Sequence, residues 1–113
     1  PRPRSRATAF AAIPEPAAAL ELLARARTTS GDQVVAFELM PRIGVAFVTR
    51  HIPGAQDPLA EPHPWYALIE LQSSAADAGL DDAMESLLAG AFEAGLVTGY
   101  LRFEAPCSAL IVW

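Results

Sequence analysis

Cysteine is almost absent from this sequence of 113 residues, in which Cys107 is the only one. An internal disulfide and a cysteine-based zinc site are therefore excluded. We expect a cytoplasmic location, because proteins in reducing compartments rarely depend on disulfides. No apolar run approaches the ~18 to 20 residues of a membrane-spanning helix, and the N-terminus lacks the apolar centre of a signal peptide. The sequence therefore predicts a soluble protein with no membrane span.

Positive charge is also scarce. Eight basic residues stand against 13 acidic ones, which gives a formal net charge of -5. The only basic cluster is Arg2, Arg4 and Arg6, with no aromatic platform beside it, so we expect no nucleic-acid partner. Hydrophobic residues make up 52% and charged residues 19% of the chain, a balance that predicts one compact domain and not a disordered segment.

Several chemical motifs are missing. None of the seven glycines forms the cluster that a phosphate-binding loop needs. His51 and His63 are twelve residues apart across a proline-rich segment, and only the fold could bring Asp57 or Glu61 to them. Loop histidines without ligand spacing are more often ordinary polar residues than metal ligands. We therefore expect no metal site.

Candidate nucleophiles and bases lack local partners as well. Ser73, Ser74 and Cys107 have no neighbouring base or orienting group. Glu38 and Glu70 lie on predicted strands beside apolar neighbours, where burial can raise the pKa of a carboxyl group and make it a base. Such an acid more often faces solvent or an interface. The spacing alone therefore assigns no catalytic residue, and the cofactor-binding residues stay unknown.

The hydrophobic pattern predicts four strands and two helices. The strands are Arg6–Pro14, Asp32–Met40, Trp65–Gln72 and a run from Val97, and the helices are Pro16–Thr29 and one within 73–96. The segment 41–51 is ambiguous: its β-branched residues favour a strand, whereas Pro41 at its start and the Ile43/Phe47 spacing favour a helix. The run SALIVW at 108–113 is a possible fifth strand or a continuation of the fourth. The order predicts an α+β, ferredoxin-like βαββαβ sandwich.

The same pattern predicts which residues share a face. In the first helix, Ala17, Leu20, Leu23, Ala24 and Arg27 recur at helical spacing, and in the second helix the stripe is Leu80, Met84, Leu87, Leu88 and Ala91. The second strand groups Val35, Phe37 and Leu39, and the third groups Trp65, Ala67, Ile69 and Leu71. Trp65 and Tyr66 could line a pocket, although core packing or a domain contact is the more common role of such aromatic residues.

Two segments resemble a known family. The runs VVAFELM (34–40) and TRHIPGAQDPLAEPHPWYALIELQSS (49–74) are similar to the C-terminal, substrate-side domain of FAD-linked oxidases of the glycolate oxidase D-subunit type, which include D-lactate and D-2-hydroxyglutarate dehydrogenases. The likeness extends from about Arg4 to Thr98. Its most specific parts are AFELM and DPLAEPHPWYALIEL.

This resemblance implies a parent flavoprotein that oxidises a 2-hydroxy acid to a 2-oxo acid and passes a hydride to the flavin. In that family an N-terminal domain holds most of the FAD, and this domain covers the isoalloxazine ring and shapes the substrate pocket. The resemblance also implies an extra helix between strands 2 and 3, at Arg42–His51. It divides the chain into a partial FAD-linked oxidase C-terminal domain, 1–98, and a divergent tail, 99–113, that can form a strand.

The family's substrate-binding arginine and histidine residues follow the part that matches here, so they have no counterparts in this sequence. The chain also begins at Pro1, with no initiator methionine, and ends in an apolar run. We therefore expect a fragment that is inactive alone and binds no cofactor in isolation, whose parent uses FAD and whose missing partner is the FAD-binding domain. The alternative is a stand-alone ferredoxin-like module that binds a ligand or oligomerises, as a dimer for example, through exposed sheet surface without catalysis.

Overall fold

The computed structural model describes residues 5–31, 33–42, 63–74 and 79–103. These ranges form, in chain order, β1 (Ser5–Ile13), α1 (Pro16–Ser30), β2 (Val34–Pro41), β3 (Trp65–Ser73), α2 (Leu80–Glu93) and β4 (Gly99–Phe103). The strands make one antiparallel sheet in the order β2-β3-β1-β4. This order, with a helix after β1 and another after β3, confirms the predicted α+β, ferredoxin-like fold. The predicted helix at Arg42–His51, beyond Arg42 itself, and the run 108–113 lie outside the described residues.

The ends of α1 follow from its sequence. Pro16 occupies the first turn, where its missing N–H costs no hydrogen bond. Gly31 ends the helix in the left-handed region, with φ of 67°, and its backbone N–H donates to the Arg27 carbonyl. The chain can therefore turn sharply out of α1 into β2.

The buried face of α1 differs from the predicted one. The buried residues are Ala18, Ala19, Leu22, Ala26 and Ser30, whereas every member of the predicted stripe is exposed or half-buried. Leu20, one of the two leucines of that stripe, is 73% exposed. Alanines occur on all sides of this helix, so apolar spacing does not single out one face. Packing selects the side where small residues let α1 approach the sheet closely.

A β-bulge changes the predicted alternation of β2. Val34 lies opposite Leu71 and Ala36 lies opposite Glu70, so Val35 is the extra residue between them. Val34 and Phe37 therefore pack against the core under the helices, while Val35 is exposed. The predicted grouping of Val35 with Phe37 is wrong, because one inserted residue shifts the side-chain period.

The predicted faces of β3 and α2 are confirmed. Ala67, Ile69 and Leu71 lie in the core, Trp65 packs against it, and all five members of the α2 stripe are buried there. Residues of β1 at positions 7, 9, 11 and 13 complete this layer between sheet and helices. None of the helices in the described ranges is long and apolar enough to cross a membrane.

The opposite face of the sheet, called here the second face, is buried as well. Its central positions alternate with the core positions of β1 and β3. They are Thr8, Phe10, Ala12, Tyr66, Leu68 and Glu70, each less than a tenth exposed. Central strands buried on both sides explain why β1 reads as a continuous apolar run.

Polar side chains connect β4 to α2. The Tyr100 hydroxyl donates to Glu85 Oε2 over 3.0 Å, and Arg102 Nε lies 3.5 Å from Glu85 Oε1. Arg102 Nη1 also donates to the Asp81 carbonyl over 3.3 Å. The hydrogen bond to the Glu85 carboxylate, followed by partial burial, raises the pKa of Tyr100. The short strand β4 is therefore held to the helix layer as well as to β1.

Candidate functional site

The most chemically equipped part of the second face surrounds Tyr66. Its ring stacks on Phe10, with centroids 4.9 Å apart, and the residue is 0% exposed. Arg42 Nη1 donates to the Tyr66 hydroxyl oxygen over 2.7 Å, and the backbone N–H of His63 donates to the same oxygen over 3.1 Å. The phenol is thus fixed in position by packing on its ring and by two donors at its oxygen.

Antiparallel pairing brings these residues together. Pro41 at the end of β2 lies opposite Trp65 at the start of β3, so Arg42 follows one strand where His63 and Pro64 precede the other. The Arg42 N–H donates to the Pro64 carbonyl over 2.9 Å. We call Arg42, His63, Tyr66 and Thr98 the Tyr66 cluster.

Thr98 joins this cluster from the start of β4. Its N–H donates to the Ala12 carbonyl over 2.9 Å, which places its side chain at the same end of the sheet. Thr98 Oγ1 lies 3.2 Å from His63 Nδ1, a hydrogen bond whose direction depends on the histidine tautomer. Because Thr98 is exposed and His63 and Arg42 are half-buried, the cluster leads from the buried phenol to the surface.

A second polar group lies farther along the same face. Glu70 is 3% exposed, Arg6 Nε lies 3.7 Å from its Oε2, and Gln72 Nε2 donates to that oxygen. Thr8 sits directly opposite Glu70 in the β1–β3 register. Its hydroxyl is buried and has no hydrogen-bond partner among the residues that the structure describes. Glu70 is therefore held in place by an ion pair with Arg6 and a hydrogen bond from Gln72.

The other residues considered from the sequence fall into three groups. Glu38 is exposed on β2, Ser73 is half-buried at the end of β3, and Ser74 is exposed beyond it. Trp65 packs against the core. The residues His51, Asp57, Glu61 and Cys107 lie outside the described residues. Within residues 5–31, 33–42, 63–74 and 79–103, no three His, Cys, Asp or Glu side chains come together as metal ligands would.

Sequence reasoning missed Arg42 and Thr98 as companions of His63. Both are isolated polar residues at the ends of strands, and spacing along the chain does not connect them. The available signal was the antiparallel pairing of the ELMP and HPWY segments, which places residue 42 beside residues 63 to 66. That inference requires the register, which the sequence does not specify.

A shallow groove of about 370 Å³ separates α1 from α2. Arg25 lies along it, and a Cβ placed on Gly90 would come 4.0 Å from Arg25 Nη1. Arg25 Nε is 3.7 Å from Glu21 Oε1, an exposed pair of the kind that contributes little to stability. With its charged groups facing solvent and each other, the groove offers no buried anchor for a ligand.

Comparison with known proteins identifies the family. A family model described as FAD linked oxidases, C-terminal domain, matches residues 2–105, which include all four strands and both helices described above. The chain belongs to this family. No curated protein matches this chain. Among solved structures it is similar to SnoaB, a cofactor-independent oxygenase from Streptomyces nogalater, with 18% identity, a TM-score of 0.38, and coverage of 89% of this chain and 90% of that one.

Membership of the FAD-linked oxidase family implies an oxidoreductase parent, FAD as its cofactor and a partner domain that binds the FAD. The described residues do not fit the pyrophosphate of FAD. The helix N-termini carry acidic residues, Glu15 before α1 and Asp81 and Asp82 in the first turn of α2, which repel an anion there. The three left-handed glycines of the described ranges, Gly31, Gly79 and Gly95, stand singly and form no phosphate cradle. The described part of this FAD-linked oxidase domain therefore provides no phosphate-binding site for the cofactor.

Proposed function

We propose that this chain is the substrate-side cap of an FAD-dependent oxidoreductase that oxidises a 2-hydroxy acid to a 2-oxo acid. The match to the FAD-linked oxidase C-terminal domain over residues 2–105 carries the proposal. The 2-hydroxy acid itself rests on the resemblance of the AFELM and HPWYALIEL segments to dehydrogenases that use such substrates.

In this role the chain contributes shape and polar groups, and the flavin of the partner domain supplies the redox chemistry. The second face of the sheet presents the buried phenol of Tyr66, with Arg42 and His63 at its oxygen. These groups can bind and orient a polar substrate and exclude water from it. The chain is inactive alone, carries no FAD in isolation and functions in the cytoplasm. Within the matched residues 2–105 we propose that the stronger likeness to the family ends at residue 98, and that 99–113, which includes β4, is a divergent tail.

Two measurements test the cap assignment. Purified chain should show no stoichiometric flavin absorbance. Mixed with the separately produced FAD-binding domain of a related 2-hydroxy acid dehydrogenase, it should co-sediment with the flavin absorbance, whereas an unrelated flavoprotein should sediment without it. A flavin that co-purifies in a 1:1 ratio with the chain would contradict its role as a cap without its own cofactor. Failure to associate with the FAD-binding domain would contradict the cap assignment itself.

A second proposal, that the chain oligomerises through its own surface, has one supporting observation. Five large apolar side chains are at least a third exposed, on α1, on β2, on α2 and on β4: Leu20, Val35, Leu39, Phe92 and Leu101. Exposed apolar surface of this kind is often covered by a partner. Sedimentation velocity over a wide range of concentrations should then show a dimer. A monomer at every concentration would refute self-association, and it would leave the cap proposal intact.

A further inference from the structure

We propose that the outward side of α1 is a contact surface between two copies of this chain, whose α1 helices pack antiparallel across a two-fold axis. We call this surface the α1 stripe. It consists of the residues that share a face by sequence spacing: Ala17, Leu20, Leu23, Ala24 and Arg27. Such a contact gives the proposed self-association a location and rests on that proposal, whereas it is independent of the cap assignment.

The fold leaves the α1 stripe uncovered. Packing against the sheet uses the other side of α1, where Leu22 and four small residues are buried. Four members of the α1 stripe are exposed and Leu23 is half-buried. Leu20 is 73% exposed, the largest value among the exposed large apolar side chains of the described residues. A helix with one apolar side in the core and a second one in water is suited to a further partner.

The spacing of the α1 stripe matches a contact between two helices. Ala17, Leu20, Ala24 and Arg27 follow one another at intervals of three, four and three residues, as in the seam between packed helices. Small residues at such a seam allow a short distance between the helix axes. The aliphatic part of Arg27 can cover apolar surface while its guanidinium stays in water. The α1 stripe therefore has the composition of a short helix–helix contact.

Charge complementarity points to a second copy of the same helix. Glu21 and Arg25 flank the α1 stripe on one side, and their exposed contact of 3.7 Å within the helix contributes little to stability. A two-fold axis perpendicular to α1 at the level of Leu23 lies two positions from each of them. This axis places Glu21 level with Arg25 of the second copy, and Arg25 level with its Glu21. Opposite charges are therefore matched twice across the contact.

The same axis brings apolar side chains together. Leu20 lies three positions before Leu23, so it comes level with position 26 of the second copy, between that copy's Leu23 and Arg27. Each exposed Leu20 is then covered by carbon atoms of the other chain, which removes apolar surface from water. A parallel pair of α1 helices would instead place like charges beside each other at positions 21 and 25, which disfavours association. The antiparallel arrangement is therefore the one that the α1 stripe supports.

Sedimentation velocity of the full chain tests the contact. Between about 1 μM and about 1 mM, where a small interface dissociates, the chain should show a monomer–dimer equilibrium. Leu20→Glu should raise the dissociation constant about a hundredfold or more, because each dimer loses two buried leucines and gains two carboxylates in the contact. Leu101→Glu on β4 is the matched control and should leave the constant unchanged. Both leucines are exposed, so circular dichroism should show an unchanged fold.

Charge exchange tests the antiparallel register. Glu21→Arg and Arg25→Glu should each weaken self-association about tenfold, because each places like charges level with one another twice in the dimer. An equal mixture of the two variants should form a heterodimer about as tightly as the original chain. In that mixture the introduced arginine lies level with the introduced glutamate, and Arg25 of one chain lies level with Glu21 of the other. A fluorescent label on one variant distinguishes the heterodimer from either homodimer.

Three outcomes would overturn the proposal. A dimer that is unaffected by Leu20→Glu, or a mixture of the charge variants without a heterodimer, would refute the α1 stripe and retain self-association. A monomer at every concentration would refute self-association and this contact together, and it would leave the cap assignment intact. A monomeric chain whose association with the FAD-binding domain is lost in Leu20→Glu would assign the α1 stripe to that domain and reject the second copy.

Discussion

The buried face of α1 provides a quantitative test of the fold, because the same substitution can be made on both sides of one helix. Leu22 is 0% exposed and packs in the core, whereas Leu20, two residues earlier, is 73% exposed. Leu→Ala at a buried site removes the transfer free energy of the side chain and leaves a cavity, at a cost of about 2–5 kcal/mol in the free energy of unfolding.

The surroundings of Leu22 place the expected cost in the upper part of that range. Its helix neighbours in the core are Ala18, Ala19 and Ala26, whose methyl groups cannot extend to fill the space that the leucine leaves. We therefore expect Leu22→Ala to lower the free energy of unfolding by ~3–5 kcal/mol, a large share of the ~5–15 kcal/mol typical of a single domain. Leu20→Ala should change it by less than about 0.5 kcal/mol.

Urea denaturation followed by circular dichroism measures both values, and equal m-values in the two variants would show that the unfolded states are comparable. The Leu20→Ala chain is the matched control, since it has the same composition and helix propensity as Leu22→Ala. Equal losses in the two variants, or a larger loss in Leu20→Ala, would refute the assignment of the buried face. That result would favour the stripe suggested by sequence spacing.

Three further predictions concern titration, the buried ion pair and the glycines. Because the folded pKa of Tyr100 is raised, its stabilising contribution is complete below the unfolded pKa of about 10 and is lost as pH rises through the folded value. The chain with Tyr100 should therefore melt at a higher temperature than Tyr100→Phe near neutral pH, and this difference should shrink at alkaline pH. A difference that does not change with pH would contradict the hydrogen bond between Tyr100 and Glu85. Arg6→Met should lower the free energy of unfolding by ~1–3 kcal/mol and by more than Glu70→Gln, because it leaves a buried carboxylate without its cation. The expected loss is smaller than for a fully buried ion pair because the Arg6 side chain is a third exposed. Urea denaturation should show this order, and the reverse order would refute the argument. Gly31→Ala should cost ~1 kcal/mol at its left-handed φ, whereas Gly90→Ala should stabilise α2 by up to ~1 kcal/mol, since its new methyl group meets only an ordinary contact. If urea denaturation shows that Gly31→Ala and Gly90→Ala change the free energy of unfolding in the same direction, the backbone conformations at the two glycines are not those described.

The parts of the fold that could be predicted from the sequence are those whose apolar pattern is regular and uninterrupted. In β3 the period-two spacing is uninterrupted, so its faces were predicted correctly and its bounds, Trp65–Gln72, differ from the observed Trp65–Ser73 by one residue. In α2 the leucines and methionine fall on a single stripe, and that stripe is buried. In α2 burial of the stripe removes more apolar area from water than burial of any other side, whereas β3 is buried on both faces and keeps its alternation because its pairing with β1 has no bulge.

The errors arise where the apolar pattern is ambiguous or is interrupted. Helix α1 has alanine on every side, so burial of any face gains a similar area and the contacts with the sheet decide which face is used. The bulge at Val35 depends on how β2 aligns with its neighbour, and no local residue marks it. The Tyr66 cluster is non-local in the same sense, because strand pairing is what brings Arg42 to Tyr66 and Thr98 to His63.

The meeting of strand ends around Tyr66 has a consequence for how this domain can vary. Arg42 and Pro64 are joined by a backbone hydrogen bond, and Arg42 and His63 both hold the Tyr66 oxygen, so the two ends of the segment 43–62 are tied together independently of that segment. Doubling the length of a closed segment costs only about 0.6 kcal/mol in chain entropy. Insertions and deletions between residues 43 and 62 are therefore insulated from the register of the sheet.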